Sequence, residues 1–269
     1  MPRESGASDA LRPDLSIVLA TLNEAGSLLE VLQGLEKCRL TNYEVVVVDD
    51  GSSDGTLDIL KSWAEQHTNV RALLNDHRQT LLRAHYQGIR EAVGDRIVVM
   101  DADLQHPVSS VNAMADSLAS GFDLAIGTRY VDGGSTGNRR VVRGLESRVA
   151  AELAHTLLPQ TRQLSDPMSG FFGFRAALAR NLPPPRQGIK FLLYLLAYNP
   201  SARIAEVPFR FEERRTGRSK IVDGGPFTVR FLFELLNDYR LSSSERERHR
   251  GRPVRGEPVS GESSQNLKV

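Results

Sequence analysis

Apolar positions in the first half of the chain fall into two kinds of run. Residues 15–20 (LSIVLA) and 44–48 (EVVVV) are short, continuous and β-branched, and between them Leu28, Leu29, Val31, Leu32 and Leu35 recur at helical spacing. This is a strand, a helix and a strand. The same alternation predicts helices over 55–67, 79–93 and 108–120, and strands over 70–74, 96–100 (RIVVM) and 123–126 (DLAI). Strands that are apolar on both faces and alternate with helices predict an α/β domain with a mostly parallel central sheet flanked by helices. Functional loops in such a sheet gather at the carboxyl ends of the strands.

The pattern changes after the glycine-rich stretch 131–138 (VDGGSTGN). Over 139–158, Val142, Leu145, Val149, Leu153 and Leu157 recur at helical spacing beside Arg139, Arg140, Arg143 and Arg148. A basic amphipathic helix of this kind either lies on a membrane surface or packs its apolar side on the core. The longest apolar run, Phe191 to Tyr198, falls well below the roughly 20 residues a membrane-spanning helix needs. A basic loop (FEERRTGRSK) follows Pro208, and a second amphipathic helix is predicted over 226–240. Residues 241–269 carry almost no large apolar side chain and read as a disordered tail. The polar start, 1–13, reads as a flexible N-terminus with no signal-peptide core, which leaves 14–240 as the folded domain and places it in the cytoplasm.

Composition narrows the partners. A net charge of +1 and a pI near 7.9 provide no global field for nucleic acid, so an anionic ligand must be held locally. The single cysteine, Cys38, excludes an internal disulfide and a cysteine-based zinc site.

Two acidic clusters stand directly after apolar strands. Asp101-Ala102-Asp103-Leu104-Gln105 follows RIVVM, and two carboxylates at the end of a buried strand are costly without a counter-charge. Their oxygens and the Gln105 amide suit a hard cation, Mg²⁺ or Mn²⁺, completed by substrate phosphate. Asp49-Asp50-Gly51-Ser52 follows EVVVV, where carboxylates can accept hydrogen bonds from a base or ribose and the next helix N-terminus favours an anion. Either cluster alone also reads as an ordinary capped turn. Both in one sheet predict a shared crevice.

The chain resembles the family-2 glycosyltransferases, and within them the dolichol-phosphate mannose synthase group without transmembrane helices. The resemblance rests on Thr21-Leu22-Asn23-Glu24, VVVVDDGSSDGT, VVMDADLQHP, AIGTRY, SDPMSGFFGFR, and EVPFRF followed by RRTGRSK, in that order. It implies a GT-A, Rossmann-like fold and a nucleotide-sugar site formed by Ala20, Leu22, Glu24, Asp49, Asp50, Asp101, Ala102, Asp103, Arg214 and Lys220. Within it Glu24 and Asp49 face the base, Asp101, Asp103 and Gln105 hold the metal, and Arg214 and Lys220 close over the donor phosphates. Arg129, Arg143 and Ser147 match positions that grip the acceptor phosphate, and Asp103, Arg129, Arg143 and Arg214 are the implied catalytic set. The implied reaction moves mannose from GDP-mannose to a dolichyl or polyprenyl phosphate with inversion. The enzyme would sit peripherally at the cytosolic membrane face, through its amphipathic helices or a membrane-anchoring partner.

Three departures keep other readings open. Leu22 replaces the tyrosine usual in the group, residues 75–83 lack the usual glycines, and Tyr194 stands where relatives commonly carry glutamate. A donor such as UDP-glucose is the alternative among enzymes. A nucleotide-binding homologue without turnover is the alternative outside them.

Overall fold

The computed structural model describes residues 12–137, 151, 152, 154–156, 158–185 and 190–212. Strands β1 (Leu15–Thr21), β2 (Tyr43–Asp49), β3 (Val70–Leu74), β4 (Arg96–Asp101) and β5 (Leu124–Thr128) alternate with helices α1 (Leu28–Glu36), α2 (Thr56–Gln66), α3 (Leu81–Glu91) and α4 (Ser110–Ala119). A glycine in α3 marks how tightly this layer packs: a Cβ on Gly88 would stand 2.5 Å from Val18 Cγ1 and 3.0 Å from Val48 Cγ2. Three elements close the described chain: β6 (Phe172–Arg175), helix α5 (Phe191–Tyr198) and β7 (Ile204–Pro208).

The seven strands form one sheet in the order β3-β2-β1-β4-β6-β5-β7. All neighbouring pairs are parallel except those of β6, which runs antiparallel to both β4 and β5. Successive side chains point to opposite faces, which explains why the strands are apolar throughout. Val45 and Val47 join α1, α2 and α4 on one face, through Leu28, Val31, Leu32, Leu35, Leu60, Val111 and Met114. Val46 and Val48 join α3 and α5 on the other, with Leu82, Ile89, Phe172, Phe174 and Phe191.

The apolar run that is too short to span a bilayer is α5, buried from Phe191 to Ala197. A helix apolar on all sides belongs inside the core, and Phe191 stacks with Phe172 and Phe174 there. Among the described residues no helix is long and apolar enough to cross a membrane. Of the amphipathic stretch 139–158 only part is described; residues 151, 152 and 154–156 are helical, and Ala154 and Leu158 are buried in the core. Residues 1–11, the stretch 226–240 and the tail 241–269 lie outside the described residues. Arg12 is held in place: its Nε donates to the Val93 carbonyl at 2.6 Å, and its carbonyl accepts from Asn42 Nδ2.

Candidate functional site

Strand order reverses between β1 and β4, so a crevice opens at the carboxyl ends of β2, β1 and β4. Register sets its walls. Ala20 of β1 lies opposite Val48 of β2 and Asp101 of β4, and Thr21 lies opposite Asp49. The two acidic strand ends therefore flank β1, two strand spacings or about 10 Å apart.

The β2 side is a closed hydrogen-bonded clasp. Asp49 is buried, and its Oδ1 accepts from the backbone N–H of Gly51 (3.1 Å) and Ser52 (2.8 Å). Its Oδ2 accepts from Thr21 Oγ1 (3.0 Å) and Ser52 Oγ (2.5 Å). The β1 loop is tied to the same turn by Asn23 N to Ser52 Oγ, Ser53 N to Asn23 Oδ1, and Glu24 N to Thr56 Oγ1. Asp49, expected to face the base, has both oxygens engaged by Thr21, Gly51 and Ser52. Glu24 is buried and accepts from Ser27 Oγ at 3.1 Å. Asp50 accepts from Gln79 N (2.9 Å) and Asn75 Nδ2 (3.4 Å), which fastens the glycine-free loop 75–80 against the crevice. Burial raises the Asp50 pKa, although these bonds and the Arg78 charge oppose the rise.

Asp101, Ala102, Asp103 and Gln105 form the β4 side. Leu104 between them has φ +62°, a left-handed conformation rare for a bulky residue, and Asn23 across the crevice has φ +52°. Strain of this kind concentrates at functional sites. The Leu104 turn lets Gln105 N donate to Asp103 Oδ1 at 3.0 Å, while the Gln105 carbonyl accepts from Glu212 N at 3.0 Å. His106 is buried beneath, stacked on Phe171 at 5.3 Å and edge-on to Phe209 and Phe211. Its Nδ1 accepts from Asp101 N at 3.4 Å, which assigns its proton to Nε2 and its role to supporting the turn. The described residues contain no group of three or more His, Cys, Asp or Glu that could hold a metal alone. Two carboxylates and an amide oxygen are instead a hard, incomplete donor set, which fits Mg²⁺ or Mn²⁺ shared with a ligand's phosphates.

Beyond β4, the end of β5 carries Arg129. Its Nε and Nη2 donate to Asp166 Oδ2 (2.6 Å) and Oδ1 (2.7 Å), with Arg129 only 7% and Asp166 1% exposed. The guanidinium also lies 5.3 Å from the Tyr130 ring centroid and 5.5 Å from that of Phe211. Burial alone would lower the Arg129 pKa; the bonds to Asp166 reverse this and raise it. The loop carrying Asp166 is pinned by Ser165, whose hydroxyl lies 2.5 Å from Thr128 Oγ1 and donates to Glu206 Oε1 at 2.6 Å.

The structure brings together Ala20, Leu22, Glu24, Asp49, Asp50, Asp101, Ala102, Asp103 and Gln105 around the β2, β1 and β4 ends, with Arg129 at the end of β5. Arg143, Ser147, Arg214 and Lys220 lie outside the described residues. Tyr194 is buried in α5 and its hydroxyl donates to the Pro183 carbonyl at 2.5 Å, so it serves as an anchor of the core. Sequence reasoning gave no role to Asp166, Lys190 or His85. For Asp166 a signal existed, because a carboxylate inside an otherwise apolar and glycine-rich stretch needs a cation.

Comparison with known proteins agrees with this geometry. The family model described as glycosyl transferase family 2 matches residues 16–182. A dolichol-phosphate mannosyltransferase of Pyrococcus furiosus is 34% identical over 87% of the chain, which spans 65% of that relative's length. One from Saccharomyces cerevisiae is 37% identical over 73% of the chain and 74% of the relative, and one from Mycosarcoma maydis 32% over 89% and 84%. Among solved structures, glucosyl-3-phosphoglycerate synthase from Mycobacterium tuberculosis, in complex with Mn²⁺, UDP-glucose and phosphoglyceric acid, superposes with a TM-score of 0.64. That pair is 20% identical and covers 86% of this chain and 81% of the other.

Proposed function

The chain belongs to glycosyl transferase family 2, and we propose that it moves mannose from GDP-mannose to a polyprenyl phosphate with inversion at the anomeric carbon. The observation that carries this is the register that sets Asp49, opposite Thr21, and Asp101, opposite Ala20, on either side of β1 at the switch point of the sheet, a two-sided acidic crevice for a nucleoside and its diphosphate. The sugar and the lipid acceptor rest on the names of the relatives, three dolichol-phosphate mannosyltransferases at 32–37% identity.

In this reading a phosphate oxygen of the lipid attacks the anomeric carbon, the bond from that carbon to the diphosphate breaks, and the nucleoside diphosphate leaves with the electron pair. The acceptor phosphate is already ionised, so no strong general base is required. Arg129, Arg143 and Ser147 orient that phosphate, and Asp166 holds Arg129 in place for the task. Arg214 and Lys220 neutralise charge on the departing diphosphate. Asp101, Asp103 and Gln105 would hold Mg²⁺ or Mn²⁺, which when bound supplies further positive charge at the leaving group. The enzyme acts peripherally on the cytosolic face of the membrane, through its basic amphipathic stretches or an anchoring protein.

Leu22 favours a second donor as the alternative, since the base loses an aromatic neighbour. Transfer of radiolabelled sugar from GDP-mannose and from UDP-glucose into an extractable polyprenyl lipid, with Mn²⁺ and after chelation, separates the two. Metal-dependent label from GDP-mannose is the expected result. Label from UDP-glucose alone would replace the donor, and label that survives chelation would overturn the metal assignment.

A further inference from the structure

A lysine not used by the mechanism lies near the metal-side carboxylate. Gly170 marks the place. A Cβ built on Gly170 would lie 3.3 Å from Asp101 Oδ2, 3.7 Å from Lys190 Nζ and 3.7 Å from His106 Cε1. The carboxylate and the ammonium therefore both border one point, the open side of Gly170.

The lysine is fixed at its base. It is the residue immediately before α5, which is buried from Phe191 to Ala197, so the main chain at Lys190 moves only with the core. Its partly buried stem carries the charge toward Asp101, whose own side chain is 33% exposed. The field of Lys190 is felt further in, at His85 of α3: burial first, then the Lys190 charge and His106, push that imidazole down to about 3. An ammonium beside a carboxylate of the donor set has a definite electrostatic consequence. It satisfies the carboxylate in place of a divalent cation and repels that cation, while attracting a diphosphate.

We propose that Lys190 is a positioning residue that couples metal binding to the donor, resting on the reading of the crevice as a metal-assisted nucleotide-sugar site. Without a donor, Lys190 offsets Asp101 and weakens uptake of the metal alone. When a nucleoside diphosphate enters, its negative charge takes over the ammonium and Asp101 becomes available to the cation. Metal and nucleotide then bind cooperatively, and linkage requires each to tighten the other by the same factor.

The test is Mn²⁺ titration of the full chain by electron paramagnetic resonance, with and without GDP (or UDP, if the transfer assay selects it), for wild type, Lys190→Met and Lys190→Arg. Methionine keeps the apolar stem, and a thermal melt of each variant checks folding. Wild type is expected to show coupling between GDP and Mn²⁺ in the ordinary range of roughly 5- to 150-fold. Lys190→Met should bind Mn²⁺ alone more tightly than wild type and lose most of that coupling, while Lys190→Arg retains it. Unchanged Mn²⁺ affinity and coupling in Lys190→Met would overturn the proposal, as would weaker Mn²⁺ binding in that variant both with and without GDP, which marks a merely structural lysine. Wild-type protein that takes up no Mn²⁺ even with the nucleotide would overturn the metal-assisted reading itself.

Discussion

Replacing Asp166 probes how the acceptor side of the site is held. The carboxylate accepts both bonds of the Arg129 fork, at 2.6 and 2.7 Å, in surroundings that leave 1% of Asp166 and 7% of Arg129 exposed. Asp166→Ala strands a guanidinium that stays charged at any workable pH, and breaking a buried pair from one side costs about 3–5 kcal/mol. Asp166→Asn keeps the shape and one acceptor oxygen and should cost less, about 1–3 kcal/mol. The single variants alone do not separate pair from packing, so the cycle is completed with Arg129→Met and the double variant Arg129→Met/Asp166→Ala. Removing both charges relieves the stranded group, and the coupling should reach roughly 2 kcal/mol. Urea unfolding with a shared m-value measures each corner. Additive losses, or a loss below about 1 kcal/mol for Asp166→Ala, would refute the argument that this pair fixes Arg129. In transfer assays Asp166→Asn should raise KM for the lipid phosphate while leaving KM for the donor near wild type.

Asp103→Ala is expected to abolish transfer and metal-dependent nucleotide binding with the fold intact, and unchanged turnover would sink its assignment to the metal. His85 is buried neutral with its pKa lowered to about 3. The unfolded chain therefore binds more protons between about 6.5 and 3, and stability present above pH 6.5 is lost as the pH falls. From pH 7 to 5 the loss should be about 2 kcal/mol, and urea melts of His85→Leu should lack that slope. Gly127→Ala would put a methyl 2.7 Å from Phe171 Cδ1 and 2.9 Å from its carbonyl oxygen; overpacking of about 1–3 kcal/mol should show as a lower urea midpoint. Arg143→Ala should impair use of the acceptor more than the donor, and equal losses in the two KM values would count against its role.

The first five strands and four helices were legible because each apolar run is bounded by polar turns, and predicted limits such as 70–74 for β3 match the structure. β6 was not legible. Four residues with a glycine among phenylalanines show no usable period, and an antiparallel strand between β4 and β5 is a long-range pairing that local pattern cannot encode. The continuous apolar run of α5 has no period that separates helix from strand. The acidic strand ends were legible as a crevice, since both follow buried strands of one sheet. The four hydrogen bonds that Asp49 accepts were not, because they come from Thr21 of the neighbouring strand and from Gly51 and Ser52 of the following turn. Asp166 finds its partner across the fold, at Arg129, where sequence separation hides it.

The reversed direction of β6 has a consequence for how such a chain can diversify. β5 ends and β6 begins at the same edge of the sheet, with Ile126 opposite Phe172, so the main chain departs after Thr128 and returns before Phe172 at anchor points about 5 Å apart. Arg129 and Asp166, paired with each other, both belong to the excursion between these two adjacent posts. The three strand ends that border the crevice, those of β2, β1 and β4, all precede that excursion. On the proposed reading of Arg129 as an acceptor-phosphate residue, exchanging this excursion whole between relatives should retarget the sugar to a new lipid while leaving the strand ends of the crevice as they stand.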